Sequence, residues 1–570
     1  MTAHAESPTA VGDGRESDIE PETRDGLQPD RAAAEPAVSH RAAATLLGVA
    51  VSVPVVLFAW RAMHAPINFD GGMNLQVARR LAEGDGYTRF YGELWVFPRE
   101  VQTNGPYMYL AALAIKVFGA GQFAYQFANL VFIAAVGVIV SLVLWRESAL
   151  VRLVGPFVAL LAVPWIPLYG LGGLGEIPTS FFLFAAVLAL VQAVRSVERS
   201  PWWVLVAFVA FGAAFATKTF AVGATATMAV GLVCVLLAVP TRRLRWQVVL
   251  ATGGAVVVVL AREVHRLLSL GSLDDYREWW VDQGDSISAQ SGFLEADAGN
   301  PLRTFLDHMH ILSGLVDYPA ELLLVVLFLP PAWVGALVLW RCRQQGVRRT
   351  LSDPATVLLF LLASVAVAYI SWWMILLPDN KLWIRRMIPG LLALNLLYLF
   401  LVPWLVRAVQ AGRRRRRAGG TSASARWVPV AAPVATLVAV GLVVAPYGWD
   451  QLDGNSRAMV DAPAQEAWLD ATRDAAAYIQ ENSDKRYHGD AWWSAPVVSL
   501  TSGTDFYNLS ETDLCALDPA RDRLVWDHDA KTIRSRDPWT RGDKLVFEEV
   551  ASFAEFVTIY SVEPSPGWCD

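Results

Sequence analysis

Long apolar runs separated by short polar segments recur along most of the 570-residue chain. A helix needs about 20 predominantly apolar residues to cross a bilayer. The runs predict eleven transmembrane helices, at residues 43–63, 122–145, 150–169, 177–195, 202–218, 220–239, 246–268, 312–340, 354–377, 385–409 and 427–446. We therefore interpret the chain as an all-α polytopic membrane protein with additional elements in its outer segments.

Two further stretches predict helices that lie flat on the outer surface of the membrane. Residues 105–119 are apolar but shorter than a span requires. A helix beginning near residue 72 would place Met73, Val77 and Leu81 at positions i, i+4 and i+8, which forms one apolar stripe. Both stretches are interpreted as interfacial helices of the first outer loop.

The two ends of the chain differ from this membrane domain, which is predicted to cover residues 41–446. Residues 1–40 are acidic and lack apolar periodicity, so they predict a disordered tail and not a signal peptide. Residues 447–570 are hydrophilic and predict a small α/β cap domain. Its expected elements are a helix at 463–482 and strands at 545–550 and 553–562.

Composition agrees with a membrane protein, because 54% of the residues are hydrophobic and only 18% are charged. The net charge of −6 averages unlike regions and indicates no particular partner. Cys515 and Cys569 both fall in the C-terminal hydrophilic region. If that region is extracytoplasmic, they are candidates for a disulfide. Two unpaired thiols are the alternative.

Arginines cluster in every second loop between the predicted spans. The clusters lie at residues 146–152, 195–199, 242–245, 341–349 and 413–417. Because cytoplasmic loops are enriched in arginine and lysine, the alternation predicts a cytoplasmic N-terminus in a plasma-membrane protein. The last cluster is interpreted as an anchor to anionic lipid, not as a nucleic-acid site. The segments placed outside are the loops holding Asp70, Glu176, Lys218, residues 270–311 and Lys381, and everything after residue 446.

Acidic residues stand at two of these outer boundaries. Asp70 follows the first span, where a lipid-carried substrate and a water-borne acceptor meet. Alternatively, Asp70 only caps the helix at 72–83, since aspartate is a preferred N-cap. Glu176 begins a span after the glycine-rich turn 170–175, and it would contact substrate or share a divalent metal with Asp70. It is also an acid favoured by a helix N-terminus.

Cations on the outer side oppose the charge bias that orients the protein, so they need a local reason. Binding of a lipid phosphate is one such reason, and snorkelling to lipid headgroups is the alternative. The residues concerned are Lys218, Lys381, Arg385 and Arg386, with a second basic patch at Arg262, His265 and Arg266.

The order of these spans, interfacial helices and charged residues along the chain, and their placement on the membrane, resemble the GT-C superfamily of membrane glycosyltransferases. Its relatives include protein O-mannosyltransferases, lipid A aminoarabinose transferases and mycobacterial-type arabinofuranosyltransferases. The matching segments, all between residues 43 and 410, are NFDGGMNLQVARRLAEGDGY, NGPYMYLAALAIKVFGAGQFAYQFANLVF, GLGEIPTSFFLF, GAAFATKTFAVG and LWIRRMIPGLLALNLL. One departure is that glycines follow Asp70 where many relatives carry a second acidic residue.

The resemblance implies inverting transfer of a hexose or pentose from a polyprenyl-phosphate donor to a hydroxyl of a glycan, glycolipid or protein. This activity would serve cell-envelope and cell-wall biogenesis. Asp70 would be the catalytic base, and the outer cations would bind the donor phosphate. No cofactor is required. A divalent metal is an alternative that the chain does not favour, because no His/Cys cluster with ligand spacing is present.

Two other functions compete with this reading. A transporter or lipid flippase would place ionisable residues near the bilayer midplane, often within internal repeats. Here the acids and cations gather at outer helix ends, and no convincing repeat is found. A catalytically silent scaffold of the same fold would tolerate the loss of Asp70.

Overall fold

The computed structural model of the chain describes residues 40–64, 66–90, 92–99, 101, 103–145, 147–163, 166–291, 301–376, 384–417, 434, 436–438, 440–460, 463–489, 494–509, 512–526, 545–554, 556–567 and 569. The predicted tail before residue 40, Lys381 and most of the predicted span at 427–446 lie outside these residues.

Helices dominate the described residues up to Arg417. They are α1 (His40–His64), α2 (Phe69–Glu83), α3 (Gly105–Phe118), α4 (Gln122–Val143), α5 (Ala149–Leu161), α6 (Ile166–Tyr169), α7 (Glu176–Arg195), α8 (Ser200–Thr217), α9 (Thr225–Ala238), α10 (Arg242–Ala251), α11 (Gly253–Leu270), α12 (Leu273–Ser291), α13 (Pro301–Val316), α14 (Ala320–Gln345), α15 (Val347–Leu351), α16 (Pro354–Leu376) and α17 (Ile388–Arg417). A short hairpin of β1 (Thr88–Phe90) and β2 (Leu94–Val96) follows α2. Single 3₁₀ turns, among them Thr219–Ala224 and Ile384–Met387, extend several of the helices.

Eight helical segments of the described residues are long and apolar enough to cross a membrane. They are Gln122–Val143, Glu176–Arg195, Val197–Thr217, Thr219–Ala238, Arg242–Leu270, Ala320–Gln345, Pro354–Ile375 and Ile384–Gln410. A ninth results if α1 and α2, which are bent by 90° relative to each other, form one broken span. The chain is therefore a mostly helical, multi-pass membrane protein.

Two predicted spans differ from the helices of the structure. The predicted span at 150–169 is divided, because α5 ends at Leu161 after 13 residues and α6 has only four. The predicted span at 312–340 begins later, at Ala320, because Asp317 has a left-handed backbone and Pro319 disfavours continuing α13. Among the described residues, not every one of the eleven predicted spans is therefore a helix long enough to cross a membrane.

That α2 lies flat on the membrane stays a prediction; the helix is bent by 90° relative to α1, and the C-terminal part of the chain covers it. Residues 71–79 of α2 are all buried, polar Asn74 and Gln76 included. The Gln76 Nε2 atom donates a hydrogen bond to the Pro496 carbonyl oxygen at 3.1 Å. By contrast, α3 keeps an exposed apolar face, as an interfacial helix would.

The C-terminal part of the chain forms a mixed α/β unit, as the sequence predicted. Its elements are α18 (Ala445–Val460), α19 (Pro463–Glu481), β3 (Arg486–Gly489), α20 (Ala495–Ser502), β4 (Phe506–Asn508), β5 (Asp522–Trp526), β6 (Leu545–Phe553) and β7 (Val557–Pro564). The strand order is β4-β3-β5-β7-β6; β3 pairs in parallel with β4 and β5, and β7 runs antiparallel to β5 and β6. A disulfide joins Cys515 to Cys569, with their Cα atoms 5.6 Å apart.

A buried ionic network stabilises this sheet at the start of β5. The Asp522 carboxylate is hydrogen-bonded to His488 at 2.7 Å and to Arg486 at 2.6 Å, and it also accepts the Asp518 amide at 2.7 Å. Burial alone would raise the pKa of Asp522, but these hydrogen bonds lower the pKa below its ordinary value.

We expect Asp522→Asn to destabilise the protein at neutral pH and to matter progressively less in acid. A carboxylate with a lowered pKa stabilises the fold above its unfolded-state pKa of about 3.9, and this contribution disappears as the pH falls through the folded pKa. The difference in unfolding midpoint between the wild type and Asp522→Asn should therefore narrow below about pH 4. Asp474→Asn, on the exposed side of α19, is the control. A difference that stays constant from pH 7 to pH 3 would contradict this role of Asp522.

Candidate active site

The start of α2 positions Asp70 in the first turn of a helix that another residue caps. Asn68 is the N-cap, and its side chain accepts a hydrogen bond from the Gly71 amide at 2.8 Å. The alternative that Asp70 serves as the N-cap is therefore wrong. An acid in the first turn is still favoured by the positive end of the helix dipole. The carboxylate of Asp70 is consequently available to groups outside α2.

The glycine-rich turn before α7 packs directly against the start of α2. Its residues Gly172 and Gly173 have positive φ angles of 77° and 82°. The turn is held by Asn129, whose Nδ2 donates to the Gly170 and Leu174 carbonyl oxygens at 2.9 and 3.1 Å. This arrangement places Glu176, the first residue of α7, beside Asp70.

The glycine that follows Asp70 is required by this close packing. A Cβ atom at Gly71 would lie 1.5 Å from the Gly172 carbonyl oxygen. We expect Gly71→Ala to push the two segments apart and to destabilise the protein by about 1–3 kcal/mol. Gly48→Ala in α1 is the control, since a Cβ there meets no atom within 4 Å. Thermal unfolding of both variants checks this, and equal midpoints would contradict it.

Arg385 joins the two acids. Its Nη2 atom forms an ion pair with Asp70 Oδ2, and its Nε atom lies 3.2 Å from Glu176 Oε1. Lys218, which connects α8 to the following 3₁₀ turn, donates from Nζ to the same Glu176 oxygen at 2.5 Å. The structure thus brings together four residues that the sequence had singled out.

Exposure separates the members of this four-residue cluster. The side chains of Glu176 and Lys218 are 0% and 5% exposed, whereas those of Arg385 and Asp70 are 11% and 17% exposed. Glu176 is therefore an interior counter-ion, and Asp70 is the acid most accessible to a substrate. Arg386 follows Arg385 in the chain, and its guanidinium lies 5.7 Å from the Trp372 ring centroid.

The second predicted basic patch contacts aromatic side chains and Glu263 instead of Asp70 and Glu176. Arg266 stacks on Trp279 at 3.8 Å and pairs with Glu263 at 2.7 Å. His265 Nδ1 lies 3.0 Å from the Tyr109 hydroxyl, and Arg262 lies 4.0 Å from Glu263. No ion pair between described residues joins this patch to Asp70 or Glu176.

Hydrogen bonds of Thr103 and Asn104 connect Tyr87, α2 and the end of α8, and the sequence did not reveal these contacts. The Tyr87 hydroxyl donates to the Thr103 carbonyl oxygen at 3.0 Å, and Asn74 Nδ2 donates to Thr103 Oγ1 at 3.1 Å. The next amide, of Asn104, donates to the Thr217 carbonyl oxygen at 2.9 Å, next to Lys218. These polar residues carry no periodic or charge signal, so only the folded chain identifies them.

Comparison with known structures identifies the architecture. The structure of ArnT from Cupriavidus metallidurans bound to undecaprenyl phosphate matches with a TM-score of 0.53 and 13% identity, covering 92% of this chain and 98% of that one. Apo ArnT from the same organism matches with a TM-score of 0.51 and 16% identity, covering 91% and 98%. The chain has the ArnT fold. The resemblance to the GT-C superfamily is thereby confirmed at the level of the fold.

No family model and no curated protein sequence matches the chain. The ArnT fold is thus recognised from the three-dimensional arrangement, while the described side chains define the site. Within this ArnT fold, Asp70, Glu176, Lys218 and Arg385 come from four separate segments of the chain. Among the described residues, no group of three His, Cys, Asp or Glu side chains has a geometry that would hold a metal ion.

Proposed function

We propose that the protein is an inverting glycosyltransferase that moves a sugar from a polyprenyl-phosphate donor to an acceptor hydroxyl. The observation that carries this proposal is the bridge of Arg385 between Asp70 and Glu176, with Lys218 on the same Glu176 oxygen. The ArnT fold supports it, because an ArnT structure of this fold is described as bound to undecaprenyl phosphate. The site combines an accessible carboxylate with cations, as this chemistry requires.

The charges of the site favour an anionic ligand. Three cations (Lys218, Arg385, Arg386) stand near two carboxylates (Asp70, Glu176), which leaves an excess of one positive charge. The planar guanidinium of Arg385 suits the oxygens of a phosphate. We infer that the donor phosphate draws Arg385 away from Asp70. Glu176 then keeps the remaining cations in place.

The release of Arg385 would leave Asp70 free to act as a general base. The acceptor oxygen attacks the anomeric carbon, and its proton passes to Asp70. A new bond forms between this carbon and the acceptor oxygen as the bond to the phosphate oxygen breaks. The departing polyprenyl phosphate gains one negative charge, which the cations stabilise. Single displacement inverts the anomeric centre. The cations supply the electrostatic stabilisation, so this mechanism needs no metal.

The proposed topology places this reaction on the outer face of the plasma membrane, with a cytoplasmic N-terminus, eleven spans and an extracytoplasmic C-terminal domain. The donor would enter from the bilayer, and the acceptor would be a glycan, glycolipid or protein of the cell envelope. This topology is supported by the arginine alternation and by the site, because Asp70, Glu176, Lys218 and Arg385 all lie at helix ends on one face of the membrane domain.

Transfer and transport are distinguished by the fate of a labelled sugar. Proteoliposomes containing the full chain would be supplied with undecaprenyl-phosphate pentoses and hexoses labelled in the sugar, together with cell-envelope extract as a source of acceptors. Transfer predicts label covalently attached to an acceptor, with inverted anomeric configuration. Label that crosses the membrane while still on its carrier, with no acceptor modified, would support a flippase instead.

We expect Arg385→Ala to weaken binding of undecaprenyl phosphate by about 10- to 100-fold, because a hydrogen bond to a charged group contributes about 1.5–3 kcal/mol. Binding would be measured with the purified protein by microscale thermophoresis. Arg303→Ala is the control, since Arg303 is exposed on α13 and pairs only loosely with Asp307 at 3.6 Å. Unchanged affinity in Arg385→Ala would place phosphate recognition elsewhere.

A further inference from the structure

A large cavity lies in the membrane domain, away from the proposed active site. It has a volume of 1110 Å³ and is bounded by α4, α7, α8, α14, α16 and α17. We call it the distal cavity. This volume lies just above the usual range of about 300–1,000 Å³ for small-molecule sites. Most of its lining is apolar, with residues such as Leu142, Phe181 and Leu358.

The distal cavity opens at the membrane face opposite the Asp70 site. Helix α7 begins with Glu176 and ends with Arg195, which lines the cavity. The membrane-spanning segment Ile384–Gln410 contains Arg385 near its start and Arg407, which also lines the cavity, near its end. At 1.5 Å per residue, each helix extends over about 30 Å between the two places. The arginine alternation assigns this end to the cytoplasmic leaflet.

The rim of the distal cavity has the amphipathic composition of a headgroup region. Tryptophans from three helices and from the turn after α4 line it, and such residues concentrate at membrane–water interfaces. They are Trp145, Trp203, Trp333 and Trp404. The rings of Trp333 and Trp404 are 5.5 Å apart between centroids. Prolines lie inside two of the surrounding helices at this level, Pro331 in α14 and Pro403 in α17, where a proline disrupts regular helix packing.

The arginines at the rim of the distal cavity differ in whether they form an ion pair. Arg341 pairs with Asp353 at 2.7 Å, and Arg407 lies 3.3 Å from Glu147. Arg195 is exposed and forms no ion pair or hydrogen bond with any residue that the structure describes. Three arginines therefore face two carboxylates, and the excess positive charge is on Arg195. Basic pockets between transmembrane helices on the cytoplasmic side are suited to anionic lipid headgroups.

We propose that the distal cavity binds one anionic phospholipid of the cytoplasmic leaflet. Its acyl chains lie against the apolar walls formed by α4, α7 and α16, and its phosphate lies at Arg195 with Arg407 nearby. The bound lipid contacts the far ends of the same helices that carry Glu176 and Arg385 at their other ends. The proposal is independent of the transferase activity, because no residue of the Asp70 site lines this cavity.

Native mass spectrometry of the full-length protein tests this site. The purified protein would be incubated with phosphatidylglycerol, phosphatidylcholine or undecaprenyl phosphate as separate probes. We expect one phosphatidylglycerol to be retained in preference to phosphatidylcholine. Arg195→Ala should weaken its retention about fivefold, and Ala185→Trp, which fills the apolar part, should abolish it. Arg199→Ala removes an equal charge from the same end of the protein outside the cavity and should leave retention unchanged.

Four outcomes would overturn the proposal. Equal retention of phosphatidylcholine would remove the role of the headgroup charge. Equal losses in Arg195→Ala and Arg199→Ala would show only a general attraction to a basic surface. Competition by undecaprenyl phosphate at Arg195 would assign the cavity to the carrier lipid instead. Retention of phosphatidylglycerol by Arg385→Ala shows that the two lipid sites are separate, and its loss there would also contradict the proposal.

Discussion

Replacing Asp70 by asparagine is expected to lower the rate of sugar transfer by about 10²- to 10⁴-fold, the usual contribution of a general base. Asparagine has nearly the shape of aspartate but cannot take up the proton of the acceptor hydroxyl. It also frees Arg385 from its ion pair, so donor binding should be retained or strengthened. The measurement is the initial rate of product formation in proteoliposomes, with donor affinity determined separately.

The matched control is Asp85→Asn, just after α2. Asp85 is 44% exposed and pairs with Arg80 at 2.7 Å, so this variant removes the same charge near the same helix without touching the site. It should keep the wild-type rate. A normal rate in Asp70→Asn would mean that another group accepts the proton. A loss of both rate and folding would be uninformative about catalysis, so the thermal midpoints of both variants must match that of the wild type.

The second large effect is expected at Glu176, whose replacement by glutamine should destabilise the protein by about 3–5 kcal/mol. Glu176 is fully buried and is the counter-ion of Lys218, which is almost fully buried itself. The variant therefore leaves an uncompensated ammonium in the protein interior. Adding Lys218→Met should restore most of the lost stability, because the double variant retains only the Asp70–Arg385 pair.

Unfolding midpoints of the wild type, both single variants and the double variant form a double-mutant cycle. An exposed ion pair provides the comparison: Arg473 and Asp470 on α19 are 47% and 67% exposed, so Asp470→Asn should change stability by less than about 1 kcal/mol. If the effects of Glu176→Gln and Lys218→Met simply add, the two charges do not depend on each other, and the interior role of Glu176 is wrong.

Hydropathy and charge located most of the membrane helices and four members of the site. Long apolar runs give an unambiguous signal, and charged residues at outer helix ends stand out because they are costly there. The hydropathy and charge pattern could not show that Arg385 contacts both Asp70 and Glu176. These residues are distant in sequence and meet only through the packing of α2, α7 and the segment Ile384–Gln410.

Other errors arose where tertiary contacts override local patterns. The stripe of Met73 and Val77 indicated one apolar face, but contacts with the C-terminal domain bury the polar side of α2 as well. Aspartate is a favoured cap, yet Asn68 starts the helix two residues earlier and takes that role. The similarity to ArnT is seen in the arrangement of the elements in space, because the two sequences are only 13% identical.

The contact between α2 and the C-terminal domain has a consequence for biosynthesis. Two residues, Pro496 and Asp505, hold the outer side of α2 through Gln76 and Arg80. The ribosome makes them 420 and 425 residues after those partners. The membrane helices are inserted long before this cover can dock. The cover of α2 can therefore form only after residues 496–505 have been made, so a premature stop codon before residue 496 would leave an inserted protein whose α2 is uncovered.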